Sequence, residues 1–90
     1  MANVVIYTSA FCGYCTAAKN ILQRRGASFS EVRIDQTAGA REKMVEISGR
    51  RTVPQIFIDD HHVGGHDDLL ALDRAGQLEA MLSGSPADEQ

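Results

Sequence analysis

Two cysteines, Cys12 and Cys15, stand two residues apart in "FCGYC" at positions 11 to 15, and the 90-residue chain has no others. No other feature limits the chain as strongly. A structural disulfide framework in a small secreted chain usually needs four or more cysteines. Two thiols one short turn apart can instead meet each other and react. Buried structural cysteines would lie on an apolar stripe, whereas these lie where a strand hands over to a helix. Zinc is the sharper rival, because Cys12-x2-Cys15 with His62-x3-His66 mimics a zinc-finger ligand set. However, 45 residues separate Cys15 from His61, against roughly 12–15 in that motif. His61, His62 and His66 read more simply as turn and loop residues, and none is placed in sequence as a base for Cys12.

Hydrophobic periodicity sets the frame around the pair. "NVVIYT", Asn3 to Thr8, is β-branched and aromatic and predicts a buried strand. From Gly13 to Arg25 the pattern becomes helical. Ala17, Ala18, Ile21 and Leu22 share a face, Lys19, Asn20, Gln23 and Arg24 fall largely opposite, and Gly26 ends the helix. "SFSEVRI", Ser28 to Ile34, alternates Phe29, Glu31 and Arg33 against Ser30, Val32 and Ile34, as a strand does. The three form a βαβ unit with parallel strands.

A second helix is expected over Ala38–Ser48, with Ala40, Met44 and Ile47 on its inner face and Gly49 closing it. "QIFID" and "HHV" predict a third and a fourth strand joined by a tight turn at Asp59 and Asp60. "GGHDD" leads into a helix with Asp67 or Asp68 as N-cap. Gly76 interrupts that helix, and "QLEAML" adds a last turn or two. The result is βαβ-α-ββ-α, a mixed four-stranded sheet flanked by helices. Residues 1–82 are expected to form one domain, and the polar tail 83–90 is expected to fray.

Charge and hydropathy narrow the function. A net charge of −3 argues against a general nucleic-acid binder. No apolar run nears the roughly 20 residues of a membrane helix. The start lacks a basic n-region and a long apolar stretch, so no signal peptide is expected and a cytoplasmic location is.

At a strand-to-helix junction the thiol chemistry is favoured. The first N–H groups of a helix have no internal partner and carry partial positive charge. An unperturbed thiol, with a pKa of about 8.5, is only a few per cent ionised at pH 7. A sulfur at Cys12 would sit on those donors, with Cys15 a turn further in as the resolving thiol. Gly13 permits the tight closure and Tyr14 offers a wall beside the sulfur. Such a pair can cycle between dithiol and disulfide.

CxxC in a βαβ context reads as thioredoxin-like. "CGYC", "TVPQIFI" at Thr52 to Ile58 and "GGHDD" at Gly64 to Asp68 narrow this, since their order and spacing resemble those of glutaredoxins of the small bacterial dithiol type. The resemblance runs from Met1 to about Leu82. It implies a thioredoxin-like fold and a glutathione-dependent thiol–disulfide oxidoreductase acting on glutathionylated or disulfide-containing proteins. It implies Cys12 as nucleophile and Cys15 as resolving thiol, with glutathione as co-substrate, no tightly bound cofactor and a monomer.

The same resemblance implies a glutathione site. Pro54 would be a cis-proline that puts the Val53 backbone, after Thr52, opposite the sulfur. Gly64 and Gly65 would allow close approach. His66 and Asp67 N–H groups would hold the γ-glutamyl carboxylate, Asp67 or Asp68 its ammonium, Arg51 the glycine carboxylate, and Tyr14 would pack on the ligand. Two departures stand out: Ser9 replaces a lysine usual in the family, and CGYC replaces CPYC. A small residue at Gly13 opens a second implication, a [2Fe–2S] cluster held by Cys12 and glutathione between two subunits. A third reading is a thioredoxin-like donor reduced by a flavoprotein reductase, although Phe11 stands where thioredoxins have tryptophan.

Overall fold

The computed structural model describes residues 2–83. In chain order the elements are β1 (Val4–Thr8), α1 (Gly13–Arg24), β2 (Phe29–Arg33), α2 (Ala40–Ser48), β3 (Gln55–Ile58), β4 (His61–Gly64), α3 (His66–Arg74) and α4 (Leu78–Leu82). The sheet order is β2-β1-β3-β4, with β1 parallel to β2 and antiparallel to β3, and β3 antiparallel to β4. This is the predicted mixed sheet. Of the tail expected from 83 to 90, residues 84–90 lie outside the described residues.

Strand alternation divides the core in two. Val4 and Ile6 of β1 face α1, α3 and α4, where they join Ala18, Ile21, Leu22, Leu69, Leu78 and Leu82. Val5 and Tyr7 face the other way, with Phe57 and the α2 residues Ala40 and Met44. Ile6 is wholly buried, which stabilises the fold by about 1.5–3 kcal/mol. Asp59 and Asp60 both take positive φ, 50° and 66°, as the tight β3–β4 hairpin turn requires. The β1–α1 hinge is thereby anchored on a packed strand and a packed helix.

Two expectations need correcting here. Helix α2 begins at Ala40 rather than Ala38, because Gly39 adopts a left-handed φ of 78° as its N-cap. Ile47 was expected inside with Ala40 and Met44 but is 39% exposed. Among the described residues, α2 is the one helix contributing to the second core. It is too short to cover the sheet, so Ile47 ends at the rim of an open cavity beside Val5, Tyr7 and Phe57. No described helix is long and apolar enough to cross a membrane.

Candidate active site

Cys12 is the N-cap of α1. Its Sγ accepts the Cys15 N–H at 3.1 Å, as a serine or threonine oxygen does at a helix start. A thiolate accepts that bond more strongly than a thiol. Phe11, with φ 56° and a fully exposed ring, turns the chain from β1 into the helix. A Cβ at Gly13 would meet nothing within 4 Å. Space therefore does not require the glycine, whose effect is a free N–H and a looser torsion. Cys12 is partly exposed and Cys15 is buried, and both are free thiols. The Cys15 pKa is pushed up to about 12, first by burial and then by its hydrogen bond with Cys12.

Across the turn stands the segment before β3. The Val53–Pro54 bond is cis, and the Val53 carbonyl lies 3.9 Å from Cys12 Sγ. Wholly buried Gln55 holds this segment. Its Nε2 donates to the Thr52 carbonyl at 3.0 Å and to Thr52 Oγ1 at 3.2 Å. That leaves its Oε1 to accept from His62 Nε2 at 2.7 Å, so the His62 proton sits on Nε2. Burial lowers the His62 pKa, with Arg50 adding to the effect. The ring also packs on Phe57, with centroids 4.9 Å apart.

The third wall is the start of α3. Gly65, not Asp67 or Asp68, is the N-cap. Asp68 lies three residues in and reaches back, its Oδ2 accepting the Gly65 N–H at 2.9 Å and meeting Arg50 Nη1 at 3.1 Å. Those two partners, the N–H first, hold its carboxyl below the usual range. Gly64 explains why the cap sits there. Its φ is 119°, and a Cβ on it would run into the Asp68 carboxylate. The His66 ring lies 5.3 Å from that of Tyr14.

Tyr14, Thr52, Val53, Pro54, Gly65, His66 and Asp67 enclose a cavity of about 340 Å³ beside the Cys12 turn. The structure thus brings together seven of the residues singled out from sequence. Arg51 and Asp68 do not line this cavity, and it is Arg50 that pairs with Asp68. His61 and His62 lie on β4, the strand expected from "HHV", and His66 opens α3. No group of three or more potential metal ligands occurs among the described residues.

Sequence reasoning missed the other side of the turn. Lys19, read as a solvent-facing helix residue, is half-buried and meets Glu31 of β2 at 3.0 Å. Glu31 in turn accepts from buried Thr8 at 2.6 Å. The signals were present: Lys19 follows Cys15 by four residues, and Glu31 shares the Phe29 face of its strand.

The comparisons with known proteins agree with this geometry. A family model described as Glutaredoxin matches residues 4–63. Glutaredoxin 3 of Escherichia coli K12 is 56% identical over 82 residues, 91% of this chain and 99% of that protein.

The chain belongs to the glutaredoxin family.

The glutaredoxin of Pseudomonas aeruginosa PAO1 is 52% identical over 83 residues, covering 92% of this chain and 99% of its own. Among solved structures, glutaredoxin from Brucella melitensis matches with a TM-score of 0.80 and 50% identity, over 91% of this chain and 89% of that one. A buckwheat glutaredoxin–glutathione complex matches with a TM-score of 0.85 and 31% identity, over 96% and 83%. The fold is accordingly thioredoxin-like, and this glutaredoxin is a thiol–disulfide oxidoreductase. The iron–sulfur alternative is not favoured.

Proposed function

We propose that this glutaredoxin uses glutathione to reduce protein–glutathione mixed disulfides and protein disulfides, with Cys12 as nucleophile and Cys15 as resolving thiol. The observation that carries the reading is the 340 Å³ cavity beside Cys12, walled by Tyr14, the Thr52–Pro54 turn and the start of α3. Glutathione is a short extended peptide with two carboxylates and one ammonium. The Val53 backbone suits its central cysteine, strand against strand. The N–H groups of His66 and Asp67, at a helix start, suit the γ-glutamyl carboxylate. Asp67 suits the ammonium, because Asp68 is already engaged by Gly65 and Arg50. Tyr14 packs along the ligand, and Arg51 reaches the glycine carboxylate from outside the cavity. The glutathione complex of the similar buckwheat protein supports the same ligand here.

In the reaction the Cys12 thiolate attacks the glutathione sulfur of a mixed disulfide. A Cys12–glutathione bond forms, and the substrate thiolate leaves. A second glutathione thiolate then attacks the bound glutathione sulfur, releasing glutathione disulfide and restoring Cys12. With a protein disulfide, the Cys12 thiolate first opens it and forms a mixed disulfide with the protein. Cys15 then attacks the Cys12 sulfur and releases the second protein thiolate. Two glutathiones reopen the internal disulfide, leaving as glutathione disulfide. A monomer in the cytoplasm, with residues 1–82 as the working unit, completes the reading.

The test is a coupled assay on a small glutathione mixed disulfide with glutathione and glutathione reductase. Saturable turnover is expected. An oxidised protein that accepted electrons from a flavoprotein thioredoxin reductase and not from glutathione would contradict the proposal.

A further inference from the structure

The charges on the Cys15 side of the turn have no part in the reaction as described so far. Residues four apart on a helix are neighbours on its surface, so Lys19 shares the side of α1 that carries Cys15. The parallel register pairs Ile6 with Glu31, which puts Glu31 on the α1 face of the sheet with Thr8. One Glu31 oxygen accepts from Thr8 Oγ1 at 2.6 Å and meets Lys19 Nζ at 3.0 Å. Thr8 is wholly buried and cannot drift. The carboxylate is thus fixed from the sheet, and it fixes the ammonium. Lys19, Glu31, Cys12 and Cys15 line one surface cavity of about 380 Å³.

We propose that Lys19, held by Glu31 and Thr8, is a positioning residue for the second half-reaction, in which its ammonium favours the Cys15 thiolate that closes the internal disulfide. The inference rests on the division of labour between Cys12 and Cys15 proposed above.

The groups facing Cys15 sort by sign. Burial and Cys12 disfavour its ionisation, whereas the Ser9 backbone and the Lys19 charge favour it. Arg33 from β2 lines the same cavity and its charge also favours the Cys15 thiolate, although Asp35 engages it at two nitrogens, 2.9 and 2.8 Å away. Glu31 is held in its ionised form, first by Thr8 and then by Lys19, which makes it a poor base. Once Cys12 is tied up in a mixed disulfide, its opposition to Cys15 is gone. Cys15 then gives its proton to water in the open cavity. Its thiolate attacks the Cys12 sulfur, the Cys12–Cys15 bond forms, the mixed disulfide breaks, and the leaving thiolate departs with the electron pair. Lys19 keeps its proton throughout.

The experiment uses a neutral probe, 2,2′-dithiodipyridine, so that the ammonium acts on the protein and not on the reagent. Cys12 releases one coloured thiopyridone in a first phase, and Cys15 releases the second on closure. Both phases are followed against pH for the wild type, Lys19→Met and Lys19→Arg. A tenfold loss of thiolate is partly returned, by roughly threefold, through the greater nucleophilicity of a more basic thiolate. Lys19→Met is therefore expected to slow the second phase about three- to fivefold at pH 7 and to move its acid limb to higher pH. The first phase should not change, and Lys19→Arg should restore most of the loss. An unchanged second phase would overturn the proposal, as would equal slowing of both phases. If Lys19→Met does not fold, Lys19→Gln removes the same charge and is read the same way. No glutathione is present, so a failure of the glutathione reading leaves this outcome untouched and shows only in the coupled assay.

Discussion

On one side of the Cys12–Cys15 turn the chain presents backbone and rings: the Val53 carbonyl, the Gly65 cap, and the adjacent, mutually tilted rings of Tyr14 and His66. On the other side it presents paired charges, Lys19 with Glu31 and Arg33 with Asp35. The first side can hold an extended peptide without demanding a particular side chain. The second has little to offer a peptide backbone, yet it places a fixed cation near the inner thiol. The difference follows from what borders each side. The first lies against a loop and a helix start, where N–H and C=O groups lack helical partners. The second lies against edge strand β2, whose Phe29 face ends in polar residues. On the reading proposed above, one active site has a binding side for Cys12 and an ionising side for Cys15.

The strongest way to break this comparison is to remove each sulfur in turn. Cys12→Ser should abolish turnover of a glutathione mixed disulfide. Cys15→Ser should keep much of that turnover and lose efficient reduction of protein disulfides. The reverse pattern in a steady-state assay of both substrates would exchange the two roles.

Next in size is the frame of the binding side. Gly64→Ala forces a side chain into a glycine-only conformation and against the Asp68 carboxylate. A cost of about 2–3 kcal/mol is expected, or a fall of roughly 10–20 °C in melting temperature, together with weaker glutathione binding. A melt within a degree or two of wild type would mean that the cap can rearrange freely.

Asp68 gives a smaller, pH-coded effect. Its folded pKa is depressed, so its contribution is present above the unfolded value, about 3.9, and is lost as pH falls through the folded value. The side chain is nearly half exposed, and solvent screening limits the contribution to about 0.5 kcal/mol. Asp68→Asn should therefore melt slightly below wild type at pH 7 and together with it near pH 2. A gap that widens in acid would contradict the assignment.

Ser9 sharpens the other side. It lines the cavity that holds both cysteines. For charges roughly 6 Å apart, Coulomb attraction is ~0.7 kcal/mol at water's dielectric. Ser9→Lys should speed alkylation of Cys12 at pH 6.5 by about twofold, because the roughly threefold gain in thiolate is partly offset by the lower nucleophilicity of a less basic thiolate. An unchanged rate would place the new ammonium out of reach of the sulfur.

Much of the fold was legible in local pattern. β1 and α1 stand within a residue of expectation, because β-branched alternation and an apolar helical face are strong local signals. The Asp59–Asp60 turn was equally plain. What failed depended on partners distant in sequence. Asp67 and Asp68 both look like N-caps, and only the backbone at Gly64 moves the cap to Gly65 and turns Asp68 back on it. Ile47 fits its helical stripe, but the sheet beneath it is left uncovered. Lys19 fits a solvent face until Glu31, twelve residues on, is placed beside it. Val53 reaches Cys12 across 41 residues, a contact that resemblance to glutaredoxins foretold and periodicity could not.

The central claim, one side for the ligand and one for the inner thiol, is tested most directly by mapping amide shifts. Cys15→Ser protein is glutathionylated on Cys12, and its ¹H–¹⁵N spectrum is compared with that of the reduced form. The account predicts the largest changes at Tyr14, Thr52, Val53, Gly65, His66 and Asp67, with Lys19, Glu31 and Arg33 nearly still. Large shifts at Lys19 and Glu31, with a quiet Thr52–Val53 turn, would contradict it.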